Sequence, residues 1–262
     1  MDGQRMLLGL IGFPLKHSFS QQYFTEKFIR LELTGIEYRN FEMQDISGLP
    51  LMLEKHKNLI GFNVTIPHKE AVLGYLDDIE PEARKIGAVN VVRIDRSQGS
   101  PHLTGFNTDR IGIELTLKQW DFPPDIKAIV FGTGGSSKAV TYQLESLGIR
   151  YIQVSRKSSP TAISYAELTL KMIRDNKLLI NCTPVGMYPD IGDKLPLAWS
   201  ALSSEHFLFD LIYNPDMTGF LKEGLERGAS VQNGLLMLHE QAEASWRIWA
   251  SELPQPDKVW ER

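Results

Sequence analysis

Ile126-Lys-Ala-Ile-Val-Phe131 runs without a break into Gly132-Thr133-Gly134-Gly135-Ser136-Ser137-Lys138-Ala139, and a helix-length segment then continues to Gly148. Strand, glycine turn and helix stand in the order that aims backbone N–H groups and a helix N-terminus at a pyrophosphate. Small residues are required here, because the backbone itself must approach the ligand. Ser137 takes the third fingerprint position in place of the usual glycine and is still small enough for close helix-to-strand packing. The next strand ends at Val154-Ser155-Arg156-Lys157. An NAD-binding domain presents an acidic residue near this point to the ribose 2'-hydroxyl. Here a hydroxyl and two cations stand instead, which suits a 2'-phosphate, so the preferred cofactor is NADP.

Outward from this unit, strand-like runs alternate with helix-length amphipathic segments. The runs are 7–11, 36–41, 60–65, 89–94, 126–131, 151–154, 178–181 and 207–211. This alternation predicts α/β architecture with mainly parallel sheets. With 262 residues the chain can bury two cores. Pro123-Pro124, which cannot continue a helix, marks the break between them. The last helix, from about Gly234 to Ala250, carries Leu235, Leu238, Ala242, Ser245 and Trp246 at helical spacing and is expected to return to the first domain.

Hydrophobic residues make up 42% of the chain, charged residues 23%, and the formal net charge is -4. Nothing in that balance attracts a polyanion, so nucleic acid is not an expected partner and a small-molecule ligand is. The single cysteine, Cys182, cannot form an intramolecular disulfide, and the early apolar run Met6 to Ile11 is too short to span a bilayer. These features point to a cytoplasmic protein with no membrane partner, a monomer or a homodimer. No His or Cys sits near Cys182 at nucleophile or metal spacing, and no metal is expected.

Ser18 and Ser20 are two apart, so in an extended segment their hydroxyls share a side, ahead of a helix predicted to begin near Gln21. They are either a carboxylate site or a plain helix cap. Asn63-Val-Thr65-Ile-Pro67-His68-Lys69 closes a buried strand and places Thr65 and Lys69 at a carboxyl edge, where α/β ligand crevices form.

Together with Gly87-Ala-Val-Asn90, Gly105-Phe-Asn107-Thr-Asp109-Arg-Ile-Gly112, Asn181-Cys-Thr-Pro-Val-Gly-Met187, Asp210-Leu-Ile-Tyr213-Asn-Pro215 with Thr218, and Gly234-Leu-Leu-Met-Leu-His-Glu-Gln241-Ala, these segments resemble the shikimate dehydrogenase family over nearly the whole chain. The resemblance implies an oxidoreductase that reduces 3-dehydroshikimate to shikimate with NADPH, a step of aromatic amino-acid biosynthesis. By position, Lys69 and Asp109 would be the catalytic pair, with Ser18, Ser20, Thr65, Asn90, Tyr213 and Gln241 around the substrate. Gly132, Thr133, Gly134, Gly135, Ser136, Ser137, Ser155, Arg156, Lys157, Leu211 and Gly234 would contact NADP.

The implied architecture is an N-terminal α/β substrate domain over 1–112, a Rossmann-type NADP domain over 113–232, and the C-terminal segment 233–262 returning to the first, with the active site in the cleft. Gln21 stands where the family commonly has proline, His68 where it has phenylalanine and Val91 where it has threonine. His68 is either a pocket residue or a polar surface residue, and His17 is read as structural. Two rival readings remain: a quinate/shikimate dehydrogenase with broader substrate or NAD use, and a catalytically silent ligand sensor.

Overall fold

The computed structural model describes residues 5–15 and 18–251. Its elements run β1 (Met6–Gly12), α1 (Phe19–Arg30), β2 (Ile36–Glu42), α2 (Leu49–Lys55), β3 (Leu59–Val64), β4 (Asp78–Ile79), α3 (Pro81–Ile86), β5 (Val91–Asp95) and β6 (His102–Phe106). They continue with α4 (Asp109–Leu117), β7 (Lys127–Phe131), α5 (Gly135–Ser146), β8 (Arg150–Ser155), β9 (Ile163–Ser164), α6 (Leu170–Asp175), β10 (Leu178–Asn181), β11 (Phe207–Asp210), α7 (Gly219–Leu225), β12 (Ser230–Gln232) and α8 (Leu235–Ala250). Two compact units result, one of residues 1–108 with 242–262, the other of 109–241. The division thus falls at Thr108/Asp109 and again inside α8. Gly112 explains the first: a Cβ there would lie 2.3 Å from the Met237 carbonyl oxygen, so α4 packs directly on the first turn of α8 within the second unit.

The first unit is a sheet in the order β2-β1-β3-β5-β6-β4. β2, β1 and β3 are parallel, whereas β5 pairs antiparallel with both β3 and β6. Among the described residues β5 is the one antiparallel strand of this sheet, within the mainly parallel architecture expected. β6 has no strand-like signature because Gly105 interrupts it. That glycine is required, since a Cβ would lie 2.4 Å from a Leu76 methyl. One face of the sheet buries Leu7, Ile11, Leu59, Phe62, Val72 and Val92 under α2 and α3. The other buries Leu8, Leu10 and Val91 under α1 and the end of α8, where Phe24 stacks on Tyr38 at 4.7 Å and Phe28 meets Trp246 at 5.5 Å. Lys27, 4% exposed, reaches both carboxylate oxygens of Glu243 at 2.7 and 2.8 Å and ties α1 to α8. Trp249 crosses the sheet over Gly61, donating from Nε1 to the Val92 carbonyl at 3.0 Å. A Cβ on Gly61 would lie 2.3 Å from that nitrogen.

In the second unit all strands are parallel, in the order β12-β11-β10-β7-β8-β9. This is the doubly wound arrangement in which the first strand of each half lies at the centre, side by side. Here those strands are β7 and β10. Crevices form where connections leave such a pair in opposite directions, so the loops after Phe131 and Asn181 mark the switch point.

Candidate active site

Gly132 leaves β7 with φ +110, a conformation that L side chains rarely adopt. A Cβ there would also lie 3.3 Å from the Cys182 carbonyl, so the glycine loop and the loop after β10 touch at the switch point. Gly134 is the N-cap of α5, in extended conformation, and the space beside its Cα is open. Ser137 is fully buried and donates to the Gly134 carbonyl at 2.7 Å, while Gln153 Nε2 donates to the Gly132 carbonyl at 2.9 Å. The loop is therefore held from behind, leaving the N-terminal amides of α5 at its front. Thr133, Gly135 and Ser136 complete it. At the end of β8, Ser155 donates its hydroxyl to the Lys157 carbonyl, and the exposed Arg156 stands on the turn between them. Gly234 lies against Leu211: a Cβ would come within 2.1 Å of the Leu211 oxygen.

These observations fit a dinucleotide. A positive-φ glycine, an open N-cap glycine and a basic turn at the second strand are what a pyrophosphate and a 2'-phosphate require. Leu211, Gly234 and the loop 132–137 all belong to this unit.

Behind the switch point sits a residue the sequence reading did not single out for a role. Asp210, fully buried at the end of β11, accepts from Thr218 Oγ1 at 2.6 Å, from Ile212 N at 3.0 Å and from Asn181 Nδ2 at 3.0 Å. Asn181 in turn accepts from Thr183 N at 3.0 Å and Thr183 Oγ1 at 2.7 Å. One carboxylate thus braces the loops that carry Cys182 to Met187 and Leu211 to Thr218. Burial pushes its carboxyl up to about 6 from 3.8, against the three hydrogen bonds, which act downward. A carboxyl that binds its proton more tightly when folded contributes stability that is fully present below about pH 4 and is lost as pH rises through 6. The loss at neutral pH is about 3 kcal/mol. Asp210→Asn keeps the acceptor that faces Ile212 and Asn181, and the Thr218 hydroxyl can reverse to accept. Thermal melts of this variant should lose the decline between pH 4 and pH 7 that the wild type shows; an unchanged decline would assign it to other groups.

In the first unit the carboxyl ends of β1, β2, β3 and β6 and the amino end of β5 share one edge, as the pairing directions require. Ser18 and Ser20 follow β1, Thr65 and Lys69 follow β3, and Asn90 precedes β5. Gly12 lets the end of β1 reach Thr65, because a Cβ would lie 2.3 Å from the Thr65 methyl. The backbone then ties the loops together: Thr65 N donates to the Ile11 carbonyl at 2.9 Å, Val89 N to the Lys69 carbonyl at 2.8 Å and Val64 N to the Asn90 carbonyl at 2.8 Å.

The serine pair differs from expectation. The helix begins at Phe19, two residues early, so Ser20 is helical and only Ser18 is extended, as the N-cap. Ser18 makes no capping bond. Among the described residues its Oγ is buried without a hydrogen-bond partner. Such an orphan hydroxyl is rare, because burying one without a bond is unfavourable by about 1–3 kcal/mol, and it favours the ligand reading over the cap. His68 is buried, not a surface residue: its Nε2 lies 2.6 Å from the Met43 carbonyl, which fastens the loop before Lys69 to the segment after β2. His17 lies outside the described residues.

Asp109 opens α4 and is buried, Tyr213 is half-buried after β11, and Gln241 on α8 donates to the Leu238 carbonyl at 3.0 Å; all three belong to the second unit. Cys182 is half-buried as a residue, and the desolvation of its thiol, with the Asp210 carboxylate nearby, raises it well above the usual range. Among the described residues no cluster of His, Cys, Asp and Glu could hold a metal ion, and no helix is long and apolar enough to cross a membrane.

Residues 10–92 match the family described as the shikimate dehydrogenase substrate binding domain. The shikimate dehydrogenase (NADP(+)) of Caldanaerobacter subterraneus subsp. tengcongensis is 34% identical over 286 residues, which span 100% of this chain and 98% of the relative. Shikimate 5-dehydrogenase from Thermus thermophilus, solved in complex with NADP(H) and shikimate, superposes with a TM-score of 0.82 at 32% identity, over 98% of this chain and 97% of that one. The ligand-free 5-ketofructose reductase of Gluconobacter sp. strain CHM43 follows at a TM-score of 0.75 and 28% identity, over 98% of this chain and 96% of that one.

Proposed function

Because the chain belongs to the shikimate dehydrogenase family, we propose that it reduces 3-dehydroshikimate to shikimate, reversibly and with NADPH, in the reducing cytoplasm that its single cysteine suits. Since a ketofructose reductase shares the fold, the substrate has to be argued from the site itself. The observation that carries it is the edge of the first sheet. There the buried Ser18 hydroxyl, without a hydrogen-bond partner among the described residues, stands at the start of a twelve-residue helix, on the sheet edge that also carries the loop of Lys69. A carboxylate satisfies Ser18 and is favoured by the positive end of the helix, while the ring hydroxyls suit Thr65 and Asn90.

Bound NADPH supplies the hydride. Gly132 to Ser137 and the N-terminus of α5 would hold the pyrophosphate, Ser155 to Lys157 the 2'-phosphate, and Leu211 and Gly234 the nicotinamide side. Negative charge grows on the substrate carbonyl oxygen during reduction, and the Lys69 ammonium would stabilise it and give it a proton. In the oxidative direction the neutral lysine takes the hydroxyl proton back. The family resemblance gives Asp109 the role of the lysine's partner, and Tyr213 and Gln241 roles in binding the substrate. The domains of this reading are residues 1–112 with 233–262 for the substrate and 113–232 for the cofactor.

Initial rates with shikimate and quinate, each crossed with NADP and NAD, test the assignment. The highest kcat/KM is expected for shikimate with NADP. Equal efficiency with quinate would favour the broader dehydrogenase, and no change at the reduced-nicotinamide band would leave only a binding protein.

A further inference from the structure

Two loops of the substrate-side edge are tied to one dipeptide at the end of β2. The chain leaves β1 at Gly12, and the Leu15 N–H then donates to Glu42 Oε1 at 2.8 Å. The other end of the same residue is held as well: the Leu15 carbonyl accepts from Ser18 N at 3.1 Å and from Asn40 Nδ2 at 3.4 Å. Leu15 is buried, and its side chain packs in the core under α1. Ser18 therefore starts from a backbone whose position β2 fixes. Met43, which follows Glu42, donates its N–H to the Gly12 carbonyl at 3.0 Å and accepts from the His68 ring at 2.6 Å. A carbonyl only accepts, so His68 Nε2 carries the proton of that bond. The backbone of His68 is committed too, its N–H to the Thr65 carbonyl and its carbonyl to Val72 N, both at 2.9 Å. Lys69 thus leaves directly from a residue held at three points.

The substrate carries its carboxylate and its ketone on one ring, so the separation between the groups that meet them has to be fixed as well. Glu42 and Met43 are joined by a single planar peptide unit that holds their Cα atoms about 3.8 Å apart. We propose that this dipeptide sets the spacing between Ser18 and Lys69: Glu42 is a positioning residue for Ser18, acting through Leu15, and His68 is a positioning residue for Lys69, acting through the Met43 carbonyl. This rests on the reading that Ser18 holds the carboxylate and Lys69 gives the proton. The two ties have different consequences. The serine loop meets a group that is the same in the ground and transition states, so loosening it weakens binding alone. The lysine loop meets charge that grows only during hydride transfer, so loosening it slows turnover.

Glu42→Ala is expected to raise the shikimate KM by about threefold to tenfold, the range of one partly exposed hydrogen bond, with kcat and the NADP KM unchanged. His68→Phe is expected to lower kcat by about tenfold, less than the hundredfold that a displacement of about 1 Å can cause, and to leave the shikimate KM within about twofold. Glu42→Gln keeps an acceptor and His68→Gln a donor at about the same reach, so each should recover most of the loss. Both effects must vanish when the residue they act through is gone. Glu42→Ala should not change the shikimate KM of Ser18→Ala, and His68→Phe should not change the kcat of Lys69→Ala. A residue that merely supported the fold would act in both backgrounds and on both constants. Additive losses in either cycle, or a Glu42→Ala that lowers kcat in place of raising KM, overturn the proposal. Should His68→Phe fail to fold, His68→Asn, polar but too short to reach the Met43 carbonyl, takes its place in the same cycle. If Ser18→Ala leaves KM unchanged or Lys69→Ala leaves kcat unchanged, the underlying reading fails and this proposal with it; if both act as expected while either Glu42→Ala or His68→Phe does nothing, only this proposal falls.

Discussion

Replacing Lys69 by alanine should lower kcat by at least about a hundredfold, the usual contribution of a positioned acid-base group, while the shikimate KM stays within a few-fold of wild type. The asymmetry follows from when the charge appears. The ground-state ketone is neutral, and only as hydride arrives does its oxygen need a cation and a proton. The local structure prepares the lysine for that step. Its carbonyl is pinned by Val89 N at 2.8 Å, and the residue before it, His68, is buried against the Met43 carbonyl. The stem therefore starts from a fixed point, and less orientation remains to be found during reaction. Steady-state kinetics in both directions would decide: near-normal turnover with a raised KM would move Lys69 from proton transfer to binding.

Arg156→Ala should raise the NADP KM by about tenfold to a hundredfold and change the NAD KM by less than about twofold, since a hydrogen bond to a charged group contributes about 1.5–3 kcal/mol. The guanidinium is exposed on a turn held by the Ser155 bond to the Lys157 carbonyl, so it is available to a 2'-phosphate and screened by salt when unliganded. NAD lacks that phosphate, and its other groups meet the glycine loop in the same way. Comparing both cofactors at fixed ionic strength is the test. An equal loss for the two would show that the arginine shapes the turn and does not read the phosphate.

Much of the cofactor half is legible in consecutive residues. A strand followed by Gly132-Thr-Gly-Gly and a helix allows few backbone paths, and the positive φ of Gly132 is one that its neighbours in sequence already demand. The basic Ser155-Arg156-Lys157 turn is visible for the same reason. On the substrate side the strand carrying Asn63 and Thr65 is visible too, but its sheet-mate β6 is not, since Gly105 breaks the alternation that reveals a half-buried strand. The sequence places the start of α1 two residues late because Ser18 and Ser20 are equally good caps on paper, and which of them caps depends on where the chain leaves β1.

The amino-acid sequence by itself determined the alternating α/β architecture and the glycine loop after β7, because both are written in local backbone constraints or short-range periodicity, and its ordered motifs carry the resemblance to the family. Only the tertiary structure decided which hydroxyl is left without a partner among the described residues and which buried side chains bond across the fold. Asn63 meets Tyr38 from 25 positions away and Ser245 from 182, and Asp210 meets Asn181 across 29. Separations of that size are set by strand order and helix packing. A buried donor must then find its acceptor wherever the fold has put one, and no neighbour in the chain records the choice.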